Sequence, residues 1–265
     1  MEYQSIKYVV LSFDDGRKDF YTRALPILRE YGLPATLNVV TEFSSQAQGA
    51  DDAYMSWSGI KECEAEGIEI ANHSNRHDNE IESIQKAAVT LKQKLPHVRD
   101  FGFASPNSDV CKANFVKFRQ LMPEHACYIR SGNQLRRDGY GHVLLYLAAK
   151  FMHSSRLFTW YGRRNFIDTH NFDFAEDFFP SVAINADVDA QQAIQCVEAV
   201  PDEHAVVLML HSILQPDECE RGGDKWANST LDFRSLCAYL QSKQDLQVVT
   251  NKALADIIRR NTVKA

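Results

Sequence analysis

The chain has 265 residues, 45% of them hydrophobic and 24% charged, the profile of a soluble globular protein with room for a full core. A net charge of −6 and a pI near 5.8 leave no surplus of Lys and Arg to neutralise phosphates, which argues against a nucleic-acid partner. The opening residues lack a basic-then-apolar leader and no stretch reaches about 18 uninterrupted apolar residues, so no transmembrane span is expected and a cytoplasmic setting is.

In chain order, short apolar runs alternate with longer amphipathic ones. A strand is predicted over 6–13 (IKYVVLSF), a helix over 18–31 closed by Gly32, a strand over 34–40 and a helix over 56–66 closed by Gly67. A strand over 67–73, a helix over 80–95 ending before Pro96, a strand over 101–105, a helix over 111–122 and a strand over 126–130 (ACYIR) follow. Beyond a break come a helix over 190–199, a strand over 205–211 (AVVLMLH), a helix over 230–243, a strand over 246–250 and a helix over 252–261. This alternation predicts βαβ units, an α/β protein whose roughly seven parallel strands form a closed or nearly closed (β/α) barrel.

The rhythm breaks at 132–189, read as a loop or helical insertion into the one domain that spans 1–265. Its stretch 139–166 is apolar and basic, with Lys150, Arg156, Arg163 and Arg164. Packing on the barrel or on a second subunit is the expectation for it, and a helix lying on a membrane surface the alternative. The oligomeric state is left open.

In a (β/α) barrel the chemistry sits at the carboxyl ends of the strands. There the sequence places Asp14 and Asp15, then "NHSNRHDN" (72–79), "SPNSD" (105–109) and His211. Adjacent carboxylates repel unless a cation lies beside them. His73 and His77 are four apart in a segment so rich in Asn, Ser and Asp that it reads as a loop, and Ser74 stands where a zinc protease helix would carry its general-base Glu. Two imidazoles and a carboxylate are the ligand set of a catalytic divalent metal such as zinc. The bland readings are a helix-capping turn for Asp14-Asp15 and a polar strand terminus for His211. The six cysteines, Cys63, Cys111, Cys127, Cys196, Cys219 and Cys237, form no CxxC pair and are expected to be reduced thiols.

"SFDDG" (12–16), "HSNRH" (73–77) and "VLMLH" (207–211), in this order, resemble the motifs of the polysaccharide deacetylases with NodB homology, carbohydrate esterase family 4. The likeness extends over "GLPATLNVV" (32–40), "MSWSGIKECEAEGIEIANHS" (55–74) and "WANSTLDFRSLCAYLQSKQDLQVVT" (226–250). It implies a distorted (β/α) barrel and metal-dependent N-deacetylation. Carried over by residue, it implies that Asp15, His73 and His77 bind one divalent ion, Zn2+ before Co2+, Ni2+ or Mn2+, with Asp14 as general base and His211 as general acid.

Two departures from the family pattern stand out. The arginine that there orients the base aspartate is replaced by Ala104, leaving Arg17 and Arg76 as candidates to take its place, while Asn107 keeps a backbone N–H for an oxyanion. No counterpart is apparent of the tryptophan motif that buttresses the acid histidine. Trp226 is expected to be a hydrophobic staple for the helix capped by Ser229 and Asp232, with stacking on a sugar as the alternative. His97, His125, His142, His153, His170 and His204 share no strand end with a second ligand and are read as structural or exposed.

The function expected is hydrolysis of an N-acetyl or N-formyl group from an amino sugar or a sugar-containing precursor, nucleotide- or lipid-linked included, in surface polysaccharide metabolism. An amidase acting on a non-sugar amide and a catalytically impaired carbohydrate-binding relative are the alternatives.

Overall fold

In the computed structural model, which describes residues 6–47, 53–108, 114–131, 140–152, 154–175, 177–220 and 224–262, eleven strands are assigned. They are β1 (Lys7–Phe13), β2 (Thr36–Val39), β3 (Glu69–Asn72), β4 (Phe103–Ala104), β5 (Ile129–Arg130), β6 (Ile167–Asp168), β7 (Val182–Ala183), β8 (His204–Leu210), β9 (Ser212–Leu214), β10 (Ala227–Ser229) and β11 (Leu246–Val249). β1 is the axis: Val9, Val10, Leu11 and Phe13 have no solvent exposure, because the strand is covered on both faces.

The strands run β5-β4-β3-β2-β1-β8 in parallel. Closure comes from residues 179–183. Phe179 donates to Ile129 O (2.8 Å) and accepts from Ser131 N (2.9 Å), and three residues later β7 pairs in parallel with β8 through Val182–Leu208 and Ala183–Met209. β1 to β5, β7 and β8 thus form a distorted barrel of seven parallel strands; six of them are among the seven predicted, while β7 takes the place expected for the strand over 246–250. β11 lies beside the amino half of β1, and β6 is antiparallel to the amino end of β8. The stretch 132–189 is therefore an elaboration only in part. Its last residues are barrel wall, in a run too short to announce itself.

The helices are α1 (Leu25–Tyr31), α2 (Thr41–Gln46), α3 (Trp57–Ala65), α4 (Ile81–Lys94), α5 (Phe115–Arg119), α6 (Tyr140–Phe151), α7 (Ser155–Arg163), α8 (Ala190–Glu198), α9 (Pro216–Glu220), α10 (Thr230–Ser242) and α11 (Asn251–Thr262). Gly32, at φ 61°, ends α1 and lets the Leu33 N–H reach Leu28 O at 3.0 Å. The Ser229 hydroxyl caps α10 by accepting from Asp232 N at 3.0 Å, as its spacing predicts. The start predicted for helix 111–122 lies outside the described residues; α5 is its later part. The five described cysteines are free, and burial pushes Cys63, Cys127, Cys196 and Cys237 up to about 12, which keeps them as inert thiols. Among the described residues no helix is long and apolar enough to cross a membrane.

A polar column threads the barrel. Tyr128 donates to Glu69 Oε1 (2.7 Å), Thr36 to Glu69 Oε2 (2.9 Å), Asn251 N to Thr36 Oγ1 (3.0 Å), Asn251 Nδ2 to Ser12 Oγ (3.1 Å), and Asn38 Nδ2 to Ser12 Oγ (2.9 Å). Buried polar groups demand such partners. At the foot of the column, a Cβ on Gly102 would stand 1.9 Å from the Tyr128 ring, so only glycine lets that ring pass. At its top Asn38 reaches Asp14.

Candidate active site

Asp14 and Asp15 leave the end of β1 in opposite roles. Asp14 N donates to Leu210 O (2.9 Å), extending the ladder to β8, and its carboxylate turns inward, 3% exposed. Asp15 and Gly16 then both take positive φ, 74° and 70°, so the next carboxylate is swung to the rim.

His73 and His77 come from the loop after β3, not from a helix, as the polar composition of that loop predicts. Asn72 Oδ1 accepts from Ser74 N (2.8 Å), Ser74 Oγ from Asp78 N (2.9 Å), and Pro106 O from Asn79 Nδ2 (2.7 Å), which pins the loop to the turn after β4. Within it Ser74 and His77 hold φ of 66° and 60°.

The three side chains meet. Asp15 Oδ1 lies 3.4 Å from His73 Nε2 and 3.3 Å from His77 Nε2, and the three prospective ligand atoms are all within 4.8 Å of one another. His73 Nδ1 sits 2.9 Å from Ala104 O, which can only accept, so Nδ1 carries the proton and Nε2 presents a lone pair to Asp15. Asp15 Oδ1 is buried with no donor in hydrogen-bonding geometry. Lone pairs facing one another across such a gap fit a divalent cation between them, and the carboxylate-imidazole donor set suits zinc or a neighbouring first-row ion.

Behind this cluster, Arg130 from the end of β5 is fully buried and donates through Nη2 to both oxygens of Asp14, at 2.6 Å (Oδ1) and 2.8 Å (Oδ2). Asn38 Nδ2 adds a contact to Oδ1 at 2.8 Å. Burial by itself would raise the Asp14 pKa, but Arg130, with His73 and His211, holds it below the usual carboxylate range. Arg17 and Arg76 do not take this place. Arg17 is drawn to Asp19 (3.3 Å) and Asp224 (3.6 Å), and Arg76 lies exposed against Asp78 (3.3 Å), each held by an acid two residues further on.

His211 follows β8, with Nε2 3.8 Å from Asp14 Oδ2; burial lowers its pKa against the opposing pull of Asp14 and Asp15. The expectation for Trp226 is corrected. It precedes the Ser229 cap by three residues, too far for a staple, and its ring lies on His211 with centroids 5.0 Å apart. Asp224 holds it there, accepting from Trp226 N (2.9 Å) and Ser212 Oγ (2.9 Å). The aromatic ring beside His211, which no sequence motif announces, thus comes from the loop before β10. Asn107, at φ 55°, is exposed in the turn after β4. Tyr54 stands beside Arg17 (6.0 Å) and Phe43 (4.4 Å), and Phe43 stacks on His77 at 6.5 Å, making an aromatic rim.

Of the other histidines, His97 pairs with Glu64, His170 with Glu203, His125 with Gln85, and His204 with Asp202 O, all away from the cluster. His153 and the side chain of His142 lie outside the described residues. Arg130 and Asn38 are the site residues that sequence reasoning missed. The signal was present: Arg130 ends a predicted barrel strand, and Asn38 interrupts an apolar one.

Fold and site together define a distorted (β/α) barrel with an Asp-His-His cluster at its carboxyl end. Residues 2–99, which carry Asp14, Asp15, His73 and His77, match the family model described as polysaccharide deacetylase, the family that the three sequence motifs resemble. A putative polysaccharide deacetylase from Mycobacterium smegmatis shares the fold at a TM-score of 0.57, with 14% identity over 98% of this chain and 92% of that one. A family 4 acetyl xylan esterase from Clostridium thermocellum, solved with a cobalt ion, does so at 0.50, with 18% identity over 94% and 91%. A Streptococcus pyogenes deacetylase in complex with acetate is 22% identical over 47% of this chain, at 0.40; the chain spans 55% of that protein's length. No curated protein matches the chain.

Proposed function

We propose that this chain is a metal-dependent hydrolase that removes an acetyl or formyl group from the nitrogen of an amino sugar, acting on a sugar-containing precursor in surface polysaccharide metabolism. The observation that carries this is the convergence of five side chains on one point: Asp15, His73 and His77 around a common centre, with Asp14 and His211 beside it. Asp15, His73 and His77 would hold a divalent ion, zinc first, which when bound polarises an amide carbonyl and lowers the pKa of water.

The remaining chemistry belongs to the protein. Asp14 Oδ1 accepts from both Asn38 and Arg130, whereas Oδ2 accepts from Arg130 alone (2.8 Å), faces His73 (3.9 Å) and His211 (3.8 Å), and keeps a lone pair for the proton of the attacking water. As the C–N bond breaks, His211 gives a proton to the departing nitrogen, so that carboxylate and amine leave together. Trp226 limits the positions its ring can take. The aromatic rim of Phe43, Tyr54 and Trp226 suits the apolar face of a sugar ring.

The test is acetate release from N-acetylglucosamine, its oligomers and its nucleotide-linked form, by the parent, Asp14→Asn and His211→Ala. Turnover in the parent, reduced by roughly a hundredfold or more in both variants, is expected. Equal release by parent and Asp14→Asn would refute the mechanism, and turnover of non-sugar amides alone would move the chain to the amidases.

A further inference from the structure

The hairpin α6–α7 has a face that the barrel does not use. On one side α7 buries Phe158 and Tyr161 in the core shared with Cys196 and Val197 of α8. On the other, Arg156, Trp160 and Arg163 follow one another at i, i+4 and i+7, a single helical stripe, with Trp160 61% exposed. Phe151 (90%) and Met152 (66%) project where the helices join, and Leu144 and Leu147 are exposed on α6. Five of the nine large apolar side chains exposed among the described residues are therefore on this one hairpin. Met152, Arg156, Trp160 and Arg163 also line an open groove of about 970 Å³ against the end of α8.

The charge of the hairpin is opposite to that of the molecule. Residues 139–166 contain Lys150, Arg156, Arg163 and Arg164 and no Asp or Glu, in a chain of net charge −6. Among the described residues neither Arg156 nor Arg163 has an ion-pair partner, and Glu198 across the groove is taken by the Tyr239 hydroxyl. Concentrated apolar side chains flanked by unpaired arginines complement a surface that is apolar beneath and anionic above. Two copies of the hairpin packed on each other would oppose arginine to arginine with no acid on either to receive them.

We infer that α6–α7 docks this protein on an anionic lipid bilayer, with Phe151, Met152 and Trp160 entering the acyl boundary and Arg156 and Arg163 among the lipid phosphates. Neither helix is long enough to span a bilayer, so the hairpin lies on the membrane. The inference is independent of the reaction proposed above.

The experiment is co-sedimentation of the full chain with vesicles of phosphatidylcholine alone, or of equal parts phosphatidylcholine and phosphatidylglycerol, at low and high salt. Binding to the anionic vesicles is expected to exceed that to neutral ones by about tenfold and to weaken with salt. The double variants Phe151→Ser with Trp160→Ser, and Arg156→Glu with Arg163→Glu, should each lose about tenfold in partitioning while keeping the parent's Tm, since all four side chains are exposed. No binding to anionic vesicles, equal binding to both compositions, or binding unchanged in both double variants would overturn the inference. So would a dimer in lipid-free solution that the Phe151→Ser, Trp160→Ser variant dissociates, which would assign the face to a second copy.

Discussion

Arg130 and Asp14, 116 residues apart, meet at the carboxyl end of the barrel in a fully buried pair, one guanidinium nitrogen serving both carboxylate oxygens. Ala104, where the sequence resemblance leads one to expect this arginine, gives its carbonyl to His73 instead. Ala104 and Arg130 are partners in the β4–β5 register, so the charge is displaced by one strand toward the closure of the barrel.

Removing Arg130 leaves Asp14 buried without its cation. Arg130→Ala should therefore destabilise the fold by about 3 to 5 kcal/mol in urea denaturation. Arg130→Lys, whose ammonium is a point charge, should recover part of that stability but less of the turnover, because it cannot hold the carboxylate plane. A loss below about 1 kcal/mol in Arg130→Ala would mean that Asp14 finds another partner or takes a proton.

Metal content tests the cluster directly. The protein purified without chelator should carry close to one equivalent of zinc or another first-row ion, and Asp15→Ala, His73→Ala and His77→Ala little. Chelation should lower the parent's Tm and re-addition restore it, since an ion bound only by the native state stabilises it. Equal trace metal in the parent and all three variants would remove the metal from the mechanism.

The Trp226–His211 contact predicts a split between stability and rate. Trp226 is at the surface, so Trp226→Ala should leave Tm nearly unchanged while lowering kcat about tenfold through a less constrained imidazole. Trp226→Phe should restore most of it. A change confined to KM, with kcat intact, would assign the ring to substrate binding alone.

Glu69 gives a pH dependence far from the site. Burial raises its pKa above the ordinary 4.5, against the hydrogen bonds from Lys252 N, Tyr128 and Thr36. A raised native pKa means that the folded state holds the proton more tightly than the unfolded one; the resulting stability is present below about pH 4.5 and is lost as pH rises through the native value. Glu69→Gln does not titrate. The stability of the parent relative to Glu69→Gln should fall as pH rises from about 4 to 7, read from urea midpoints. A difference that stays flat or grows would show the ionised carboxylate to be the better acceptor for its three donors.

Much of this molecule was legible from local pattern. The apolar runs and the glycines that close helices mark seven strands and most helices. The polar loop around His73 and His77 is readable because Asn, Ser and Asp favour turns. Missing from that reading were β6, β7, β9 and β10, each of two or three residues, and α2 and α9, of six and five. Segments so short carry no period, and only their neighbours make them regular.

The sequence by itself determined which carboxylates and imidazoles fall at strand ends, because that depends on residues within a few positions of one another. Only the tertiary structure decided what stands beside them. Arg17 and Arg76 are near the cluster in sequence, yet each is captured by acids, Asp19 and Asp224 for the one and Asp78 for the other. Arg130, Asn38 and Trp226 reach Asp14 and His211 from separate segments. The order of strands around the barrel and the point of its closure at residues 179–183 place them there, and strand pairing over such distances is set by burial and hydrogen bonding across the whole sheet, which no local spacing records.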